Sequence, residues 1–138
     1  MTPALPGLLL VDDDRAALYA LSEALSDLPV RLVLAESGEE ALRQVLKDEF
    51  AAVLLDVRLP RMDGFEVAAA IRSLERLRRV PILFMSAHDD RRSQPRPGPE
   101  DYLRKPLAPH VVRSKVAVFL EPKMDLQQQQ SATYGAAL

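Results

Sequence analysis

Leu8-Leu9-Leu10-Val11-Asp12-Asp13-Asp14 sets four consecutive apolar residues directly against three aspartates. A short run that is apolar at every position suits a strand covered on both faces, as a parallel sheet flanked by helices requires. Leu8 to Val11 is therefore read as a buried strand whose carboxyl end carries charge. Asp14 can cap the segment that follows. There Leu18, Leu21, Leu25 and Leu28 recur at three- and four-residue spacing and mark one helical face.

Outward from this stretch the alternation repeats. Val30 to Leu34 reads as a second strand, and Ser37 with Glu40 forms a capping box ahead of Ala41, Leu42, Val45 and Leu46. Ala51 to Leu55 is a third apolar run and ends at Asp56. After Pro60 and the turn pair Asp63-Gly64, a helix directs Phe65, Val67, Ala68, Ile71 and Leu74 inward. Ile82 to Met85 makes a fourth strand and Tyr102 to Arg104 a short fifth. Val111, Val112, Lys115, Val116 and Phe119 form a stripe on a last helix, with Lys115 contributing only its stem. Strands alternating with amphipathic helices specify an α/β fold: a parallel sheet with right-handed crossovers.

The pattern breaks between Asp89 and Glu100, where Pro95, Pro97 and Pro99 stand with Gly98. Each proline in a helix interior costs about 3 kcal/mol, so the fourth helix is expected to be short or absent. Beyond Pro122, Gln127 to Gln130 and the small, polar end suggest a flexible tail or truncated linker over 123–138. Residues 1–122 then form one domain. A length of 138 residues allows a sizeable core, and 48% apolar with 28% charged residues is ordinary globular composition. The net charge of −2 lacks the basic footprint of a nucleic-acid binder. The chain has no cysteine, which excludes thiolate chemistry, and no apolar run approaches the ~20 residues that span a bilayer. A cytoplasmic protein that binds neither nucleic acid nor membrane is the expectation.

In open parallel sheets functional groups gather at the carboxyl ends of the strands. Asp12 and Asp13 close strand one, Asp56 strand three, Ser86 strand four and Lys105 strand five. Clustered carboxylates must either take up protons or recruit a cation, and oxygen donors without cysteine favour Mg²⁺. Each aspartate alone would more often be a cap or turn residue; the lysine and hydroxyl alongside them shift the balance. A carboxylate beside Mg²⁺ can attack phosphorus, and Asp56, fixed by a core strand and followed by a loop, is best placed as nucleophile. Ser86 could donate to a phosphoryl oxygen, and Lys105 could offset its charge.

Leu9-Leu10-Val11-Asp12-Asp13-Asp14, Asp56 with Pro60 and Met62-Asp63-Gly64-Phe65, Ser86-Ala87, and Asp101-Tyr102-Leu103-Arg104-Lys105-Pro106 together resemble response-regulator receiver domains. The resemblance runs from Leu8 to Leu120, and it is the order and spacing of the motifs that make it specific. It implies a flavodoxin-like, doubly wound five-stranded sheet of order 2-1-3-4-5. It further implies that Asp56 is the phosphoacceptor of a two-component phosphorelay. Asp12, Asp13, Asp56 and the Arg58 carbonyl would hold Mg²⁺, with Asp13 the direct ligand of the acidic pair. Ser86 would be the switch hydroxyl, Lys105 the phosphate partner, Pro106 a cis proline and Tyr102 the switch aromatic. The implied partners are a histidine kinase or phosphotransfer protein and a downstream output domain missing from this chain. Such a domain is a signalling phosphoacceptor rather than an enzyme, although it assists its own phosphoryl transfer and dephosphorylation.

The segment between Ser86 and Gly98 is a few residues shorter than the family pattern, so the family's usual dimer is not assumed and a homodimer could use a non-standard face. Arg91, Arg92 and Arg96 there read as a solvated basic loop or a docking patch for an acidic partner, while Arg58 and His88 would tune phosphoryl lifetime. Two other readings compete. A phosphatase of the haloacid-dehalogenase type would use Asp12 as nucleophile and Asp14 as acid. A phosphorylation-independent interaction module would keep the fold without the chemistry.

Overall fold

The computed structural model describes residues 5–87 and 100–120. Five parallel strands, β1 (Gly7–Val11), β2 (Arg31–Ala35), β3 (Ala52–Asp56), β4 (Ile82–Ser86) and β5 (Glu100–Arg104), form one sheet of order β2-β1-β3-β4-β5. This is the expected flavodoxin-like α/β arrangement. Helices α1 (Arg15–Ala24), α2 (Gly38–Lys47), α3 (Gly64–Ser73) and α4 (109–120) flank it among the described residues. The crossover from β4 to β5 falls in 88–99, so the expectation of a short or absent helix there lies outside the described residues. So do His88, Arg91, Arg92, Arg96 and the tail 123–138.

Alternation along each strand sends successive side chains to opposite faces. Leu9, Val11, Val53, Leu55, Ile82 and Phe84 form one core with Val45 of α2 and Val67 and Ile71 of α3. Leu8, Leu10, Leu54, Leu83, Met85 and Leu103 form the other with Leu18 and Leu21 of α1 and Val112 and Val116 of α4. Burying each such side chain contributes roughly 1.5–3 kcal/mol, and covering both faces explains why β1, and β3 as far as Leu55, are apolar. Leu25 is buried but lies just past the end of α1, as its C-cap.

Local chemistry departs from expectation at three points. Ser37 caps α2 by accepting from the Glu40 amide, but Glu40 Oε2 accepts from the Glu36 amide at 3.1 Å rather than completing a box. The reciprocal capping box is at α3, between Asp63 and Glu66. Val111 is 40% exposed, because in α4 the buried face is set by Val112, Val116 and Leu120. Leu46, at the end of the α2 stripe, is also exposed.

Candidate functional site

The same alternation that divides the core also places the charged groups. Asp12 continues the Leu8, Leu10 face, Asp56 the Ala52, Leu54 face, and Lys105 the side taken by Leu103, so all three emerge together at the carboxyl edge. Asp12 and Asp56 are the buried charged residues among those described, at 2% and 6% exposure. Lys105 Nζ bridges them, 2.9 Å from Asp12 Oδ2 and 2.8 Å from Asp56 Oδ2. Its backbone is held as well: the Lys105 amide donates to the Ser86 carbonyl at 2.8 Å, and the Lys105-Pro106 bond is cis. The remaining carboxylate oxygens are also engaged. Asp56 Oδ1 accepts from the Arg58 amide and Asp12 Oδ1 from the Asp14 amide, each at 3.0 Å.

Asp13 is exposed, yet carboxylate oxygens of Asp12, Asp13 and Asp56 all lie within 4.8 Å of one another. Three carboxylates against one ammonium leave the site short of positive charge. Hard oxygen donors in that number suit a small divalent cation that keeps several waters, so the residues present fit Mg²⁺. Burial pushes the Asp56 carboxyl above its ordinary range, and Asp12 adds to the rise; hydrogen bonds from Lys105 and the Arg58 amide only partly oppose it. Burial alone would lower Lys105, but its hydrogen bonds to Asp56 and Asp12 outweigh that and raise it. Asp14 is not part of the cluster: its side chain caps α1, accepting from the amides of Ala16 and Ala17. The acid role that a phosphatase reading assigns to it is thereby taken up by the helix.

The helix behind Asp56 approaches closely. A Cβ on Gly64 would stand 2.4 Å from the Asp56 carbonyl oxygen and 2.9 Å from Val57 Cα, so only glycine lets α3 start there. Ser86 closes β4 opposite Arg104 in register. Tyr102, half-buried, stacks on Phe84 with ring centroids 5.4 Å apart, and Phe84 in turn meets Phe65 at 4.7 Å. Lys115 corrects the sequence reading. Beyond its stem, its Nζ sits 2.8 Å from Asp101 Oδ2, a pairing that an acid 14 positions earlier does not advertise.

A family model of the response regulator receiver domain matches residues 8–117. The chain belongs to the response-regulator receiver family. Receivers are signalling phosphoacceptors that bind Mg²⁺ at an acidic pocket, and this chain has an acidic cluster of Asp12, Asp13 and Asp56. It is 37% identical over 109 residues to the sensor protein GacS of Pseudomonas syringae pv. syringae, which covers 75% of this chain and 12% of that protein. It is 38% identical over 116 residues to the response regulator MprA of Mycobacterium leprae, covering 82% of this chain and 50% of that one. The receiver thus spans half or less of these two relatives. Among solved structures, the chemotaxis response regulator CheY4 of Vibrio cholerae superposes with a TM-score of 0.76 at 25% identity, over 84% of this chain and 99% of that one. A receiver in a sensor protein and others in response regulators are both among its relatives, and no described helix is long and apolar enough to cross a membrane.

Proposed function

We propose that this receiver takes a phosphoryl group onto Asp56 from a histidine kinase or phosphotransfer protein in a Mg²⁺-dependent reaction, and signals through a conformational switch. The observation that carries this reading is Lys105 Nζ bridging Asp12 and Asp56 beside the three-carboxylate cluster. Asp13, Asp56 and the Arg58 carbonyl would hold the ion, with Asp12 completing the negative charge around it. Mg²⁺, when bound, offsets charge on the phosphoryl oxygens.

An Asp56 carboxylate oxygen attacks the phosphorus of a phosphohistidine. The P–O bond forms as the P–N bond breaks, and the imidazole leaves with the electron pair and is protonated from solvent. Lys105 shifts from the carboxylates to a phosphoryl oxygen and Ser86 donates to another, so charge developing in transfer meets fixed donors. Water attack on the acyl phosphate later returns Asp56 and inorganic phosphate, a step the same residues assist. Movement of Ser86 toward the phosphoryl group makes room for Tyr102, shifting the population between two packings. The receiver unit is read as residues 1–122, acts in the cytoplasm, and passes its state to an output partner. Its partners do not include nucleic acid.

Beryllofluoride, which mimics the aspartyl phosphate, tests this. With Mg²⁺ it is expected to change tyrosine fluorescence and hydrogen-exchange protection around Ser86 and Tyr102 in the wild type, and to do neither in Asp56→Asn. Equal responses in both proteins would sink the reading.

A further inference from the structure

Residues 58–63 carry the Arg58 carbonyl, and hydrogen bonds close them into a loop with fixed ends. The Val57 amide donates to the Met85 carbonyl at 3.0 Å, and the Val57 carbonyl accepts from the Gly64 amide at 2.8 Å. Within the loop the Met62 amide donates to the Pro60 carbonyl at 2.7 Å, across Arg61, whose φ is 68°. A three-residue turn with positive φ at its centre is the rare, strained hand of the γ-turn, which glycine adopts freely and an L side chain resists. Arg61 is the non-glycine residue at positive φ among those described. Its guanidinium reaches α2, where Nη2 lies 3.3 Å from Glu39 Oε2. The other oxygen of that carboxylate, Oε1, is buried and has no hydrogen-bond partner among the described residues. The same end of α2 also packs on the turn: a Cβ on Gly38 would stand 3.3 Å from Met62 Sδ.

We infer that Glu39 is a positioning residue for the metal site: by pairing with Arg61 it holds the strained turn 60–62 in the arrangement that presents the Arg58 carbonyl to the ion. The inference rests on the Mg²⁺ reading above and adds a residue that does not itself touch the ion. Because the ends of 58–63 are fixed, a change of φ at Arg61 must be taken up by other torsions of the loop. On one side Met62 is wedged against Gly38, and Asp63 is committed to its reciprocal cap with Glu66. On the other, the Pro60 ring locks its own φ and the Leu59 side chain is buried, so the shift falls on the backbone around the Arg58 carbonyl. The Arg61 side chain is 78% exposed, so the pair contributes little to stability and the fold survives its loss. What the pair sets is the fraction of molecules whose loop is ready for the ion, and apparent affinity falls in proportion to that fraction. An acid serving only as favourable charge in the first turn of α2 would have no such effect.

Calorimetric titration with Mg²⁺ tests this in the wild type, Arg61→Ala, Arg61→Gly, Glu39→Gln and the double variant Glu39→Gln with Arg61→Gly. Alanine and glycine remove the same charge, so the difference between them isolates the backbone. Arg61→Ala loses the pair and keeps the strain, and it is expected to bind Mg²⁺ about threefold more weakly than Arg61→Gly, a size ordinary for an exposed pair. Glu39→Gln weakens Mg²⁺ binding in any background by removing a negative charge. Its effect is expected to be about threefold larger in the wild type than in Arg61→Gly, where no strained residue needs holding. Equal affinities for Arg61→Ala and Arg61→Gly would overturn the role of the turn, and an equal effect of Glu39→Gln in both backgrounds would overturn that of Glu39. Either result leaves the Mg²⁺ reading standing. No Mg²⁺ binding by the wild type would overturn that reading and this inference together.

Discussion

Asp56 carries a charge that its surroundings resist. Burial beside Asp12 raises its pKa above the ordinary 3.8, so the folded protein holds this proton more tightly than the unfolded chain does. Stability therefore falls as pH rises from 3.8 through the raised value, and at neutral pH the ionised carboxylate is a cost. Asp56→Asn removes that charge, while Lys105 keeps its partner Asp12. In metal-free buffer at pH 7 the variant is expected to melt roughly 4 °C above the wild type, the shift about 1 kcal/mol produces in a domain of this size. The gain should shrink as pH is lowered toward 3.8. Thermal melts at a series of pH values measure it, and an unchanged or lower melting temperature for the variant at pH 7 would contradict it.

Among the elements, α3 is placed by one absent side chain and one reciprocal cap. Gly64 lets the helix begin against the Asp56 carbonyl, and Asp63 with Glu66 secures its first turn immediately afterwards. The contacts a Cβ would make are with backbone atoms, which cannot rotate away. Gly64→Ala is thus expected to push α3 outward at the end nearest the site, costing roughly 1–3 kcal/mol as overpacking does. Because the displaced backbone is that of Asp56 and Val57, Mg²⁺ affinity should fall along with stability. Denaturant titration with and without Mg²⁺ separates the two effects: a stability loss with unaltered Mg²⁺ affinity would show that the close approach serves packing alone. The pair Asp63-Gly64 is visible in the sequence as a turn. Its purpose is not, because the atom that demands glycine belongs to a strand eight residues back in the chain.

At the scale of the whole molecule, one sheet with a core on each face gathers three strand ends into a single edge that carries Asp12, Asp13, Asp56 and Lys105, the edge proposed to hold Mg²⁺. Mg²⁺ bound there stabilises the entire cooperative unit by mass action, about 1.4 kcal/mol at ten times its dissociation constant. Wild type should melt higher in Mg²⁺ than in EDTA, and Asp56→Asn should show less than half that difference. An equal rise in both would place the ion elsewhere. Much of this architecture is legible residue by residue. The all-apolar runs at Leu8 to Val11 and Ala52 to Leu55, and the three-to-four spacing from Leu18 to Leu25, report strand and helix because they are local patterns set by which faces must be covered. They also put acids, a hydroxyl and a lysine at strand ends, and hence the class of chemistry. What no local pattern contains is distance between elements. Lys105 stands 93 positions from Asp12 and 49 from Asp56, and only strand order and register bring its ammonium onto both. The exposure of Val111 and Leu46, the Asp101–Lys115 pairing and the need for Gly64 were settled in the same way. Periodicity tells an element which of its faces is apolar; which atoms that face then meets depends on how the whole chain packs.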